Sequence, residues 1–234
     1  MTAPDPISRP TKQVLVWDVP ARISHWGFSL SLSISLWIGF QFDPESVIFK
    51  YHILAGVLAC WFLGVRLVLG LVGSKPMRWN VFFKAVAKLP DYAKEVCAWR
   101  ATERVGLNAG SASFALTLYL ILIGLIYTGF VADLSETWHG RLAYVSVFLI
   151  ALHLLGLALH ALRTRSMSPL AMIHGKTQGN AGEALTHSNA IGGCLLALLS
   201  FCIAWLLYRY FNADTSVLQI PLLPEITFPV IQKG

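Results

Sequence analysis

The chain has 234 residues, 56% hydrophobic and 13% charged, with a formal net charge of +6. A soluble domain carries roughly a quarter charged residues, so this composition, with a mean hydropathy of +0.61, excludes an ordinary soluble fold and indicates an integral membrane protein. The basic balance does not signify nucleic acid as a partner, because Lys and Arg cluster in particular loops between apolar segments.

The N-terminus from Met1 to Lys12 is polar and Pro-rich, and the first apolar stretch has no small-residue cleavage site. An uncleaved first span is expected rather than a signal peptide. Five segments approach the ~20 residues needed to cross ~30 Å of hydrocarbon: Ile23 to Phe42, His52 to Val72, Ser111 to Val131, His139 to Leu162 and Ile191 to Phe211. Ser29, Ser31, Ser33 and Ser35 dilute the first, but serine in a membrane helix back-bonds to its own turn or packs closely. The predicted architecture is all-α: a four-helix core within residues 1–176, a linker over 177–190, a fifth membrane helix over 191–211 and a tail over 212–234. The loop from Gly73 to Gly110 interleaves Val81, Phe82, Val86, Leu89 and Val96 with lysines. It reads either as an interfacial amphipathic helix broken at Pro90 or as a solvated basic loop. Thr177 to Ser188, with Gly179, Asn180, Gly182 and Glu183, reads as a flexible linker. The tail has apolar stretches, Val217 to Leu223 and Ile226 to Ile231, broken by Pro221, Pro224 and Pro229. It suits either extended docking to a partner or a short ordered arm on this protein.

Charge sets the expected orientation. Arg9, Lys12 and Arg22 precede the first span, and the Gly73 to Gly110 loop carries Lys75, Arg78, Lys84, Lys88, Lys94, Arg100 and Arg104 against Asp91, Glu95 and Glu103. Arg163, Arg165 and Lys176 follow the fourth span, whereas the other two loops hold Asp43, Glu45 and Lys50, then Asp133 and Glu136. The positive-inside rule puts the N-terminus in the cytoplasm and the C-terminus in the periplasm of a bacterial inner membrane. Cys60, Cys97, Cys194 and Cys202 form no C-x-x-C pair, which leaves covalent c-type heme, dithiol redox chemistry and a cysteine zinc site unsupported.

The histidines carry the chemistry. His139 and His153 are fourteen residues apart on one predicted helix, a separation of ~21 Å with only ~40° of angular drift. Both point to the same side of a bundle, one near each face. His52 opens the second span at the depth of His139, and His25 opens the first near the depth of His153. A single histidine in a membrane helix serves equally well as a cross-helix hydrogen bond or a proton path. Two pairs at matched depths suit two bis-imidazole hemes, since zinc or copper would want a third or fourth clustered ligand. Bis-histidine ligation leaves no open position and favours electron transfer.

Neighbouring residues fit less specifically. Gly56 and Gly156 would let a porphyrin approach a helix, or serve ordinary helix packing. Arg22, Arg66 and Arg163 near the inner face and Arg141 at the outer suit propionate pairing, or headgroup contact; Arg66, inside a span, demands a partner. His160, seven residues after His153, would face headgroups, line a quinone pocket or replace His153 as a ligand. His174 and His187 lie in a polar connection with no stated role.

The run Val16-Trp17-Asp18-Val19-Pro20-Ala21-Arg22-Ile23-Ser24-His25-Trp26 resembles the W-D-x-P-x-R-x-x-H-W opening of prokaryotic diheme cytochromes b, which include bacterial cytochrome b561 and the cytochrome b subunits of nickel-iron hydrogenases. His52 with Gly56 is similar to the H-x-x-x-G start of their second span. Trp138-His139-Gly140, Ala151-Leu152-His153-Leu154-Leu155-Gly156 and His160 resemble their fourth. Ala171-Met172-Ile173-His174-Gly175-Lys176 looks like their closing A-M-I-x-G-K/R segment. The likeness runs from about Val14 to Lys176. It implies that His25, His52, His139 and His153 are axial ligands of two non-covalent b hemes, and that electrons pass between a quinone pool and a redox partner such as a periplasmic cytochrome c or an enzyme subunit. The fifth span and the tail depart from it. A self-sufficient oxidoreductase, for instance from superoxide to quinone, and a heme-free transporter or anchor are the competing classes.

Overall fold

Buried serines and an exposed apolar stripe set the character of the first long helix. The computed structural model describes residues 12–98, 106–130, 135–164, 170–179, 184–221 and 224–228. Arg9, Arg100, Glu103, Arg104, Val131, Asp133, Arg165, Asn180, Gly182, Glu183, Leu223 and the tail from Pro229, all used above, lie outside these residues. Helix α1 (Val19–Gln41) is capped by Asp18, whose carboxylate accepts from Ala21 N at 3.0 Å, with Pro20 in the first turn. Ser24, Ser31 and Ser35 are buried along it, while Trp26, Leu30, Ile34 and Trp37 form an outward stripe at helical spacing. That inside-out pattern suits a hydrocarbon solvent and would be costly in water.

Four further helices, each apolar and of spanning length, follow: α2 (Val47–Val72), then α5 (Ala109–Phe130), α6 (Ser135–Thr164) and α8 (Ala190–Tyr210), with short α3 (Trp79–Val86), α4 (Leu89–Cys97) and α7 (Ala171–His174) between them. The serines keep α1 less hydropathic than these four, but its 23 residues extend ~34 Å. All five predicted spans are therefore helices. α2 starts five residues before the predicted His52, because Ser46 caps it by accepting from Phe49 N at 3.1 Å; a cap, not the onset of hydropathy, fixes the end. The core joins Leu32 and Leu36 of α1, Ala59 and Leu63 of α2, and Leu118, Leu122 and Leu125 of α5, with Leu142, Ala143 and Ile150 of α6 against it.

The described part of the basic loop contains two α-helices after a single 3-10 turn at Lys75–Met77. Phe82 of α3 is buried and stacks near Tyr119 of α5 (6.5 Å between centroids), and Trp79 Nε1 donates to Leu67 O at 3.2 Å. The break falls at Ala87 and Lys88 rather than at Pro90, which sits in the first turn of α4, where its missing N–H costs nothing. None of α4 is buried, and its Lys94–Asp91 pair at 3.7 Å is exposed, so it adds little stability.

Strands tie the ends down. β1 (Lys12–Leu15) pairs antiparallel with β2 (Lys176–Gly179), Val14 opposite Thr177. The predicted linker is thus structured at its start. It is also fixed further on, where Leu185 N donates to Leu15 O and Val19 N to Ser188 O, both at 2.8 Å. The reason is backbone satisfaction: the N-terminal arm presents an edge that this segment completes. Gly175 ends α7 at φ +82, and a Cβ there would meet Trp17 O at 2.8 Å, so only glycine fits. At the opposite end β3 (Phe211–Asn212), β4 (Val217–Leu218) and β5 (Ile226–Thr227) form a small antiparallel sheet. Of the two readings of the tail, the described part is an arm ordered on its own chain, packed on Ile53, Leu54 and Val57 of α2.

Candidate functional site

His52 and His139 face each other near the end of the bundle that carries the C-terminal sheet. Their ring centroids are 5.9 Å apart with planes at 74°. They line a cavity of ≈ 220 Å³ walled by apolar side chains of α1, α2, α5 and α6, among them Leu36, Val57, Leu122 and Ile126. Four glycines, Gly39, Gly56, Gly129 and Gly140, share its lining.

The hydrogen bonds fix both tautomers. His52 Nδ1 lies 2.8 Å from Ser35 O. A carbonyl only accepts, so Nδ1 carries a proton, and in the neutral imidazole Nε2 keeps its lone pair. His139 Nδ1 lies 3.2 Å from Thr128 Oγ1, whose own hydroxyl donates to Gly124 O at 2.8 Å. The hydroxyl proton is therefore committed, Oγ1 accepts, and His139 is protonated at Nδ1 as well. Two neutral imidazoles thus present Nε2, each oriented through its other nitrogen, which is the arrangement of metal-ligating histidines.

Lys50, two residues before His52, is buried at 8% exposure and also lines the cavity. Its ammonium has no hydrogen-bond or ion-pair partner among the described residues. The sequence reading placed it among loop charges; the early start of α2 carries it inside instead. A buried cation without a counter-ion is costly and marks a place suited to an anionic group.

At the other end His25 and His153 lie within electrostatic range of one another, and Arg66 within range of His25. Phe114 stacks on His153, 4.2 Å between centroids at 10°. Arg66 finds the partners its span position requires: Nε donates to Tyr119 OH at 3.1 Å, and a terminal nitrogen contacts the Met77 sulfur. Arg22 Nη1 donates to Ile173 O at 2.9 Å and Trp26 Nε1 to Met172 O at 2.9 Å. The opening motif and the closing A-M-I-H-G-K segment are therefore two halves of one latch. Trp17, Ala21 and Ala171 are buried in it, with Met77 from the basic loop.

The remaining candidates are more peripheral. Arg141 lies over the Trp138 ring at 4.9 Å. Arg163 and His160 lie in the last turns of α6, away from the His52/His139 cavity. Gly56 contributes to that cavity; Gly156 does not, and a Cβ on it would meet open space. Sequence reasoning missed Ser35, Thr128, Gly39, Gly129, Lys50 and Phe228. Only Lys50 carried a local signal, a charge within the first turn of an apolar helix.

The donor set fits heme. Neutral imidazoles oppose one another across an apolar gap, and at Gly140 a Cβ would meet no protein atom within 4 Å, leaving room for a flat ring to approach the helix. A family model described as prokaryotic cytochrome b561 matches residues 16–175. The chain belongs to the prokaryotic cytochrome b561 family. It is accordingly a bacterial membrane b-type cytochrome that binds heme b and takes part in electron transfer. No curated protein and no solved structure matches it significantly. The family match ends at Gly175, so β2, α8 and the C-terminal sheet lie beyond it.

Proposed function

We propose that this cytochrome holds two b hemes, one between His52 and His139 and one between His25 and His153, and carries electrons between the quinone pool and a periplasmic redox partner. The observation that carries the reading is the paired tautomers of His52 and His139 across a glycine-lined apolar cavity. Heme iron supplies reversible one-electron chemistry; the chain supplies ligands, spacing and a dry, low-dielectric surround. The fourteen residues between His139 and His153 on one unbroken helix give ~21 Å of rise, which supports one site near each face. Ser35 and Thr128 hold the outer imidazoles in register, and Phe114 packs the inner one. Lys50 is the outer cation for a propionate, and Arg66 the inner. Arg22, whose Nη1 engages Ile173 in the latch, keeps further donors for the inner propionates.

Sidedness rests on charge. The N-terminal arm, the basic loop and the segment after α6 meet in one cluster that includes Val14, Met77 and Ala171, and this end faces the cytoplasm under the positive-inside rule. The His52/His139 site and the C-terminus then face the periplasm of the inner membrane.

A dithionite-reduced minus oxidised spectrum with pyridine hemochrome quantification tests the reading. The expected result is a b-type spectrum with about two hemes per chain. His52→Ala or His139→Ala should remove the outer heme only, and His25→Ala or His153→Ala the inner. Loss of the inner heme in His160→Ala but not in His153→Ala would refute the inner pair, and protein without heme would refute the function.

A further inference from the structure

The C-terminal sheet lies outside the family match, yet it reaches the outer cavity. Phe228, next to β5, is 6% exposed and lines the same cavity as His52 and Lys50. Its position is built: Phe228 N donates to Ser216 O at 3.0 Å, and its ring packs with Leu207 of α8 and Leu218 of β4. The adjoining strands cross from α8 to Ile53 and Val57 of α2. A loose arm would not bury an aromatic ring there.

We infer that the C-terminal sheet is a functional part of the outer cofactor site, with Phe228 sealing the cavity between α2 and α8 against water and water-soluble reagents. This rests on the heme reading above. An aromatic wall excludes water and keeps the local dielectric low, which disfavours the more highly charged oxidised iron and raises the midpoint potential. It also makes the outer heme selective, because a reagent must exchange electrons through the protein surface instead of entering the cavity. In this chain, residues beyond the family domain therefore set both the potential and the accessibility of the outer heme.

The test uses the full chain in nanodiscs on a His153→Ala background, which isolates the outer heme. Phe228→Ala should lower its midpoint and accelerate its oxidation by ferricyanide severalfold. Phe228→Trp, which fills the same place, should leave the rate at or below that of the parent and answers the question even if the alanine variant loses heme or does not fold. Outer heme lost from Phe228→Ala but kept by Phe228→Trp also supports the wall. Heme-loaded Phe228→Ala with the parent's midpoint and rate overturns the inference alone, as does Phe228→Trp oxidised faster than the parent. A heme-free parent before either substitution, with His153 intact, overturns the cofactor reading and this inference with it.

Discussion

Thr128 and Ser35 orient the two outer imidazoles through different atoms, and that difference gives a sharp test. His139 donates to the Thr128 side chain at 3.2 Å, whereas His52 donates to the backbone carbonyl of Ser35 at 2.8 Å, with the Ser35 hydroxyl a secondary contact at 3.1 Å. Thr128→Val preserves the branched shape and deletes the acceptor. A neutral hydrogen bond contributes about 0.5–1.5 kcal/mol, and a buried N–H left unpaired costs about 1–3 kcal/mol. The carbonyl of Leu125 is also within reach of His139 and takes up part of that loss. The net expectation is about 1–1.5 kcal/mol, or roughly tenfold weaker retention of the outer heme. Ser35→Ala keeps the carbonyl, so its expected effect is below about threefold. Transfer of heme to excess apomyoglobin, followed on a His153→Ala background, measures both. Equal effects of the two variants on retention of the outer heme would refute the tautomer argument.

Gly140→Leu places a side chain in open space within the cavity and improves helix propensity by about 1 kcal/mol; the protein should fold, keep the inner heme and lose the outer one, as read by hemochrome stoichiometry. Lys50→Met removes a buried cation. The heme-free protein should melt at a higher temperature, because an unpartnered charge is gone, while the outer heme should bind more than about tenfold more weakly through loss of a charge-assisted bond of about 1.5–3 kcal/mol. The outer midpoint should also fall, since a nearby positive charge favours the reduced iron. Melting curves and potentiometric titration check the two signs separately.

Local sequence determined what depends on local physics. Runs of apolar residues long enough for a bilayer became α1, α2, α5, α6 and α8. The fourteen-residue interval between His139 and His153 translated directly into two positions on one helix, because an unbroken helix has a fixed rise. The opening motif was legible as a motif, and part of its content is local too: Asp18 caps α1 and Pro20 opens it.

Its other content is not local. Arg22 and Trp26 act on carbonyls of Ile173 and Met172, a pairing that exists only once α1 and the segment after α6 meet. The protonation pattern of the outer histidines likewise comes from Ser35 on α1 and Thr128 on α5, and no spacing within α2 or α6 encodes it. Lys50 read as a loop charge because helix starts are set by caps, and the capping serine drew it into the cavity. The polar stretch after Lys176 read as a linker because composition says nothing about an available strand edge. Phe228 was invisible as a site residue for the same reason. Its contacts with α2 and α8 are decided by how the C-terminal sheet packs back on the bundle, and only the tertiary structure carries that information.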